Sequence, residues 1–201
     1  MLMKIFCAAG SFNKLRSIPV GEQASEYVHQ IQQLLKVDQS AIGIQPNREP
    51  IFFVRFPRWP IQSILLIVRG GKADRSAIEF AFCLASKCDA SLITLAAVPD
   101  IPAFYRSYAK VQLGLPTLFE LNTEPGHQLR EILHRMSLHG LNGDIQACEN
   151  EPNQQIQQIV KFSDPDLIVI SHETYSRLWR LLFGEIVQPL LRWIDRPVLI
   201  A

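Results

Sequence analysis

From residue 61 onward, short apolar β-rich runs alternate with helical patterns, and this alternation restricts the fold more than any other feature of the chain. "SILLIVRG" (63–70) is apolar at nearly every position, as in strands covered on both faces. "ADRSAIEFAFCLASKC" (73–88) places Ala77, Ala81, Leu84, Ala85 and Cys88 on one helical face, with a cap expected near Asp74. "SLITLAAV" (91–98), "DIQACE" (144–149), "DLIVI" (166–170) and "PVLIA" (197–201) read as further strands. Between them, residues 124–140 form a helix capped by Thr123 and stopped by Gly140, with Leu129, Ile132, Leu133 and Met136 as its core stripe. Pro152 opens another helix carrying Ile156, Ile159 and Val160, and an apolar one spans 176–194 with Pro189 dividing it. Strands alternating with helices require a mostly parallel sheet covered on both faces. The reading is an α/β fold: a doubly wound, five-stranded Rossmann-like sheet over 61–201 with right-handed crossovers.

Residues 1–60 follow another pattern. "EQASEYVHQIQQLLK" (22–36) is amphipathic, with Ala24, Tyr27, Val28, Ile31, Leu34 and Leu35 on one side, and "IFFVRF" (51–56) reads as a strand. One helix and one or two strands are too little to fold alone, so this N-terminal α/β extension packs on the main domain or on a partner. Residues 99–123, with three prolines, read as a long loop with partial helix.

Composition removes whole classes of function. A net charge of +1 gives no long-range pull toward nucleic acid or an acidic membrane, and runs such as "ILLIV" are too short to cross a bilayer. The opening "MLMKIFCAAGSF" lacks an apolar stretch long enough for a signal peptide. The four cysteines, Cys7, Cys83, Cys88 and Cys148, match neither a disulfide framework nor a metal-ligand spacing, and fit free thiols in a reducing cytoplasm. No metal, cofactor or catalytic set is expected. His172, Glu173 and Asp166 have no third ligand placed by spacing, and His127, His134 and His139 read as solvent-facing. "RGGKADRS" (69–76) departs from a pyrophosphatase-type SGGxDS loop by one residue and by its leading arginine, so its glycines read as turn residues.

Ligands of doubly wound sheets bind beyond the carboxyl ends of the strands, which marks the loops 69–75 and 171–185. The segment 63–98 and the ending "DLIVI…LLFGE…RPVLIA" resemble the universal stress protein domain, over roughly 61–201. In that family, ATP-binding members carry an aspartate at the end of the first strand. They also carry a loop G-x-x-G, nine residues, then G and Ser or Thr after the fourth. Carried onto this chain, the aspartate falls on Arg69, the glycines on Ser171, Thr174 and Gly184, and the hydroxyl on Glu185; one of five positions agrees. Arginine only donates hydrogen bonds, Ser171 and Thr174 add Cβ atoms where phosphate needs bare backbone, and Glu185 sets a like charge nearby. One such contact at roughly 4 Å costs about 4 kcal/mol at an effective dielectric of about 20, or about a thousandfold in affinity. The resemblance therefore implies a degenerate pocket built of Arg69, Gly70, Gly71, Ser171, Thr174, Gly184 and Glu185. The opposite signs of Arg69 and Glu185 suggest an internal ion pair in place of nucleotide, the alternative being a solvated Glu185 in the first turn of a helix.

The functional expectation is a non-enzymatic, cytoplasmic regulatory or scaffolding protein of that family. The alternatives are a sensor for another small anion, drawn by Arg69 and Lys72, or a soluble regulator of a transporter docking through 1–60 and 99–123. The resemblance also implies a homodimer paired through the last strand, 197–201.

Overall fold

A computed structural model describes residues 4–7, 22–36, 50–97, 115–120, 122–148, 152–171 and 186–201. The strands are β1 (Lys4–Cys7), β2 (Ile51–Val54), β3 (Ser63–Val68), β4 (Ser91–Ala96), β5 (Gly143–Ala147), β6 (Leu167–Ile170) and β7 (Val198–Ile200). The helices are α1 (Glu22–Lys36), α2 (Asp74–Cys88), α3 (Leu115–Glu120), α4 (Glu124–Leu138), α5 (Pro152–Ser163) and α6 (Val187–Trp193).

The strands make one sheet in the order β1-β2-β7-β6-β3-β4-β5. The five strands read from 61–201 are its parallel body, β7-β6-β3-β4-β5. The chain winds outward from β3 through β4 to β5, then returns to the other side of β3 as β6 and β7. The order therefore reverses between β3 and β6, and the crevice beyond their carboxyl ends is where doubly wound sheets take ligands.

Period-two alternation divides the central strands between two cores. Ile64, Leu66 and Val68 of β3 point toward α1, α2 and α4, whereas Leu65 and Ile67 point toward α5 and α6. All five are fully buried, which is why β3 is apolar at consecutive positions. Helix α2 buries more than the expected stripe, adding Ile78, Phe80 and Phe82. Two neighbours account for this. Lys87 Nζ donates to the Leu34 carbonyl of α1 (2.6 Å), and Arg135 of α4 grips Glu79 with both Nη atoms (2.7 and 2.9 Å) while its guanidinium lies 4.5 Å from the Phe82 ring centroid.

Helix α4 starts as expected: the Gly126 N–H donates to Thr123 Oγ1 at 3.4 Å, and Gly140 follows the helix with φ 61°. Its stripe needs one correction. Leu129, Ile132 and Met136 are buried, but Leu133 is 51% exposed, because it sits about 100° round the helix from Ile132, off the face that packs on the core. His127, His134 and His139 are exposed, as expected. Helix α6 begins two residues before Pro189, so the proline falls in the first turn, where its missing N–H costs no intrahelical bond. The expected helical residues 176–185 lie outside the described residues.

The extension joins the sheet. β2 runs antiparallel to β7, and β1 lies parallel beyond β2. The edge of β7 expected to face a second copy is thus filled from within the chain. Phe52 of β2 is fully buried, 5.7 Å from the Tyr27 ring of α1. Burial, then the negative charge of Asp166, pushes the Tyr27 phenol well above its usual range.

Candidate functional site

The site forms at the reversal point because β3 and β6 both end there. Beyond Val68 the chain turns through Arg69, Gly70 and Gly71 into α2. Asp74 N donates to the Gly71 carbonyl at 2.9 Å, and Arg75 N to that of Lys72 at 3.4 Å. The turn needs glycine at position 70, which has φ 82°. A Cβ there would also sit 2.5 Å from Pro125 Cγ in the first turn of α4. Gln128, one helical turn further on, donates from Nε2 to the Gly71 carbonyl (3.1 Å), so α4 holds this loop from outside.

Such a turn points successive N–H groups into one concavity, an arrangement that takes an anion. Here the chain supplies the anion. Oδ2 of Asp74 accepts from the N–H groups of Arg69 (2.8 Å), Gly70 (2.8 Å) and Gly71 (3.1 Å). Oδ1 accepts from Ser171 Oγ, at the end of β6, at 2.6 Å. Asp74 is fully buried and Ser171 is 1% exposed, so one carboxylate ties together the ends of β3 and β6 and the start of α2. The dipole of α2 favours an acidic group in its first turn.

The structure places Arg69, Gly70, Gly71 and Ser171 around the Asp74 carboxylate. Thr174, Gly184 and Glu185 lie outside the described residues, as do His172, Glu173 and the proposed Arg69–Glu185 pair. Arg69 is buried, at 8% exposure, and Lys72 is exposed. Two features escaped sequence reasoning. Asp74 was read as a cap of α2, but its side chain reaches backward to the loop; an acid three to five residues after a strand-ending R-G-G is the signal that could have shown it. Pro125 and Gln128 come from 50 or more residues away, and nothing local announces their contact. Among the described residues there is no cluster of three or more His, Cys, Asp or Glu fit for a metal, and Cys83, Cys88 and Cys148 are half-buried and in no disulfide. No described helix is long and apolar enough to cross a membrane.

Comparison with known proteins gives a family and a fold. The model of the universal stress protein family matches residues 60–201. A protein of that family from Burkholderia pseudomallei is similar in structure at TM-score 0.50 and 21% identity, over 72% of this chain and 98% of its own. A universal stress protein from Archaeoglobus fulgidus DSM 4304 is similar at TM-score 0.52 and 13% identity, over 76% of this chain and 49% of its own. At such identities the structural likeness speaks for the fold alone. No curated protein matches the chain.

Proposed function

This chain belongs to the universal stress protein family, and we propose that it works there without the family's ATP, as a non-enzymatic regulatory or scaffolding protein of the cytoplasm. The observation that carries this reading is the Asp74 carboxylate, fully buried, with the three loop N–H groups on one oxygen and the Ser171 hydroxyl on the other. The N–H groups that an anion at the end of the first strand would need are already engaged, and a second anion beside that carboxylate meets like charge in a place shielded from water. Arg69, where ATP-binding members carry aspartate, donates hydrogen bonds and accepts none, so it cannot receive the hydroxyls of a ribose.

Thermal shift and calorimetric titration of the full chain with ATP, other adenine nucleotides and simple anions test the reading. A ligand at 100 times its dissociation constant adds about 2.7 kcal/mol, which a melting curve resolves. The expected result is no shift with ATP. A submicromolar ATP titration overturns the reading, and saturable binding of a different anion instead turns it toward a sensor.

A further inference from the structure

The family-matched region, residues 60–201, has β7 as its outermost strand on one side. That strand is "VLI", fully buried or nearly so, and both of its backbone edges are used. β6 takes one edge in parallel. β2, from outside the matched region, takes the other antiparallel, with Ile51, Phe52 and Phe53 opposite Ile200, Leu199 and Val198. Without β2, this strand would present a row of unpaired N–H and C=O groups, the template on which another chain adds a strand.

The cover is seated in the core and tied at its end by a hydrogen bond and an exposed ion pair. Phe52 and Val54 pack with Tyr27, Val28 and Ile31 of α1 in a core shared with α2. At the end of β2, Arg55 Nη1 donates to the Ile194 carbonyl (2.9 Å), and Arg58 Nη1 meets Asp164 Oδ2 (2.7 Å), where both side chains are substantially exposed. Exposed pairs of this kind hold weakly and yield to salt.

We propose that β1, α1 and β2 act as a built-in strand cap, and that the partner they exclude is a second copy of this chain pairing β7 to β7. The geometry favours that occupant. β2 shows that the free side of β7 accepts an antiparallel strand. A two-fold axis normal to the sheet sets a second β7 antiparallel in the same place and keeps like faces on like sides. The replacement is also chemically close, since "VLI" and "IFFV" are both short apolar runs buried on the same two cores. A dimer through 197–201 is therefore conditional on undocking of the extension.

Native mass spectrometry and light scattering of the full chain, with two variants, test this. Phe52→Asp places a charge in the buried seat of β2 and is expected to convert a monomer into a dimer. In that dimer, hydrogen exchange at 198–200 stays slow because the second copy has replaced β2. Phe53→Cys with Val198→Cys staples the cap shut. Opposed residues of an antiparallel pair lie about 4.5–5.5 Å apart at Cα, within the roughly 4.4–6.8 Å that a disulfide spans. The oxidised staple is expected to stay monomeric under mild urea that lets its reduced form dimerise. A wild-type chain or oxidised staple that is dimeric overturns the proposal, as does a folded Phe52→Asp chain that stays monomeric. Should Phe52→Asp fail to fold, the staple decides alone: identical oligomeric states of its oxidised and reduced forms refute the cap.

Discussion

The two ends of the sheet each centre on an aspartate that takes several hydrogen bonds, and they differ in the donors and in the water around them. At the carboxyl end, Asp74 is fully buried and its donors are three backbone N–H groups and one hydroxyl. At the amino end, Asp164 is 62% exposed and its partners are the guanidinium groups of Arg58 and Arg196, each at 2.7 Å. Counting full charges would rank the second aspartate higher. Surroundings reverse the order. Arg58 is 40% exposed to water, and Arg196, though only 7% exposed, keeps Asp195 Oδ1 and the Pro165 carbonyl, so both lose little when the Asp164 carboxylate leaves. Buried N–H groups that lose their acceptor keep the whole cost of desolvation.

The largest effect is accordingly expected at Asp74. Asp74→Ala leaves three loop N–H groups and the Ser171 hydroxyl without their acceptor, and should destabilise the fold by roughly 3–5 kcal/mol. Asp74→Asn keeps the shape and one acceptor oxygen, turning the amide toward Ser171, and should cost roughly 1–2 kcal/mol. Urea midpoints of the three proteins measure both. An alanine variant that costs no more than the asparagine one breaks the comparison, since the loop N–H groups would then have found water.

A backbone change at the same end sharpens it without touching the carboxylate. Gly70→Ala forces a Cβ into φ 82° and to within 2.5 Å of Pro125 Cγ. The left-handed strain is about 1–2 kcal/mol, and overpacking against the α4 turn adds about 1–3 kcal/mol. Because Pro125 belongs to another helix, Gly70→Ala combined with Pro125→Gly, which removes both Cγ (2.5 Å) and Cβ (2.6 Å) from the clash, should recover part of that cost, whereas the strain stays. Full additivity of the two changes in denaturant titrations would show that α4 does not rest on this loop.

What the sequence made legible follows the same division between local and distant causes. The parallel body of the sheet could be read because a strand buried on both faces must be apolar at every position, and "ILLIV" and "LIVI" are. "IFFV" was readable as a strand, but its partner and direction were not, since the antiparallel fit to β7 depends on residues more than 140 positions later. Leu133 misled because periodicity says which residues share a face and not where the neighbour covering it ends. Asp74 was visible as an acid near a helix start; which N–H groups it takes is decided by Gly70, whose positive φ turns the loop back over it.

The smallest expected effect belongs to the amino end, and its pH dependence separates it from the first. The Arg58 hydrogen bond, then that of Arg196, holds the Asp164 carboxyl below its usual range. A carboxyl that titrates lower in the folded chain than in the unfolded one stabilises fully above the unfolded value, about 3.9. That contribution fades as pH falls through the folded value. Asp164→Asn keeps a residue that tolerates the local φ of 44° and removes the charge. Near neutral pH the variant should lie close to wild type, far nearer than Asp74→Asn. Below about pH 4 the two curves should converge, because wild type loses in acid what the variant never had. In 1 M salt, where screening acts within about 3 Å, the neutral-pH gap should also shrink. A loss at Asp164 that rivals Asp74→Asn and resists both acid and salt would place the exposed pair beyond the reach of water and undo the contrast between the two ends.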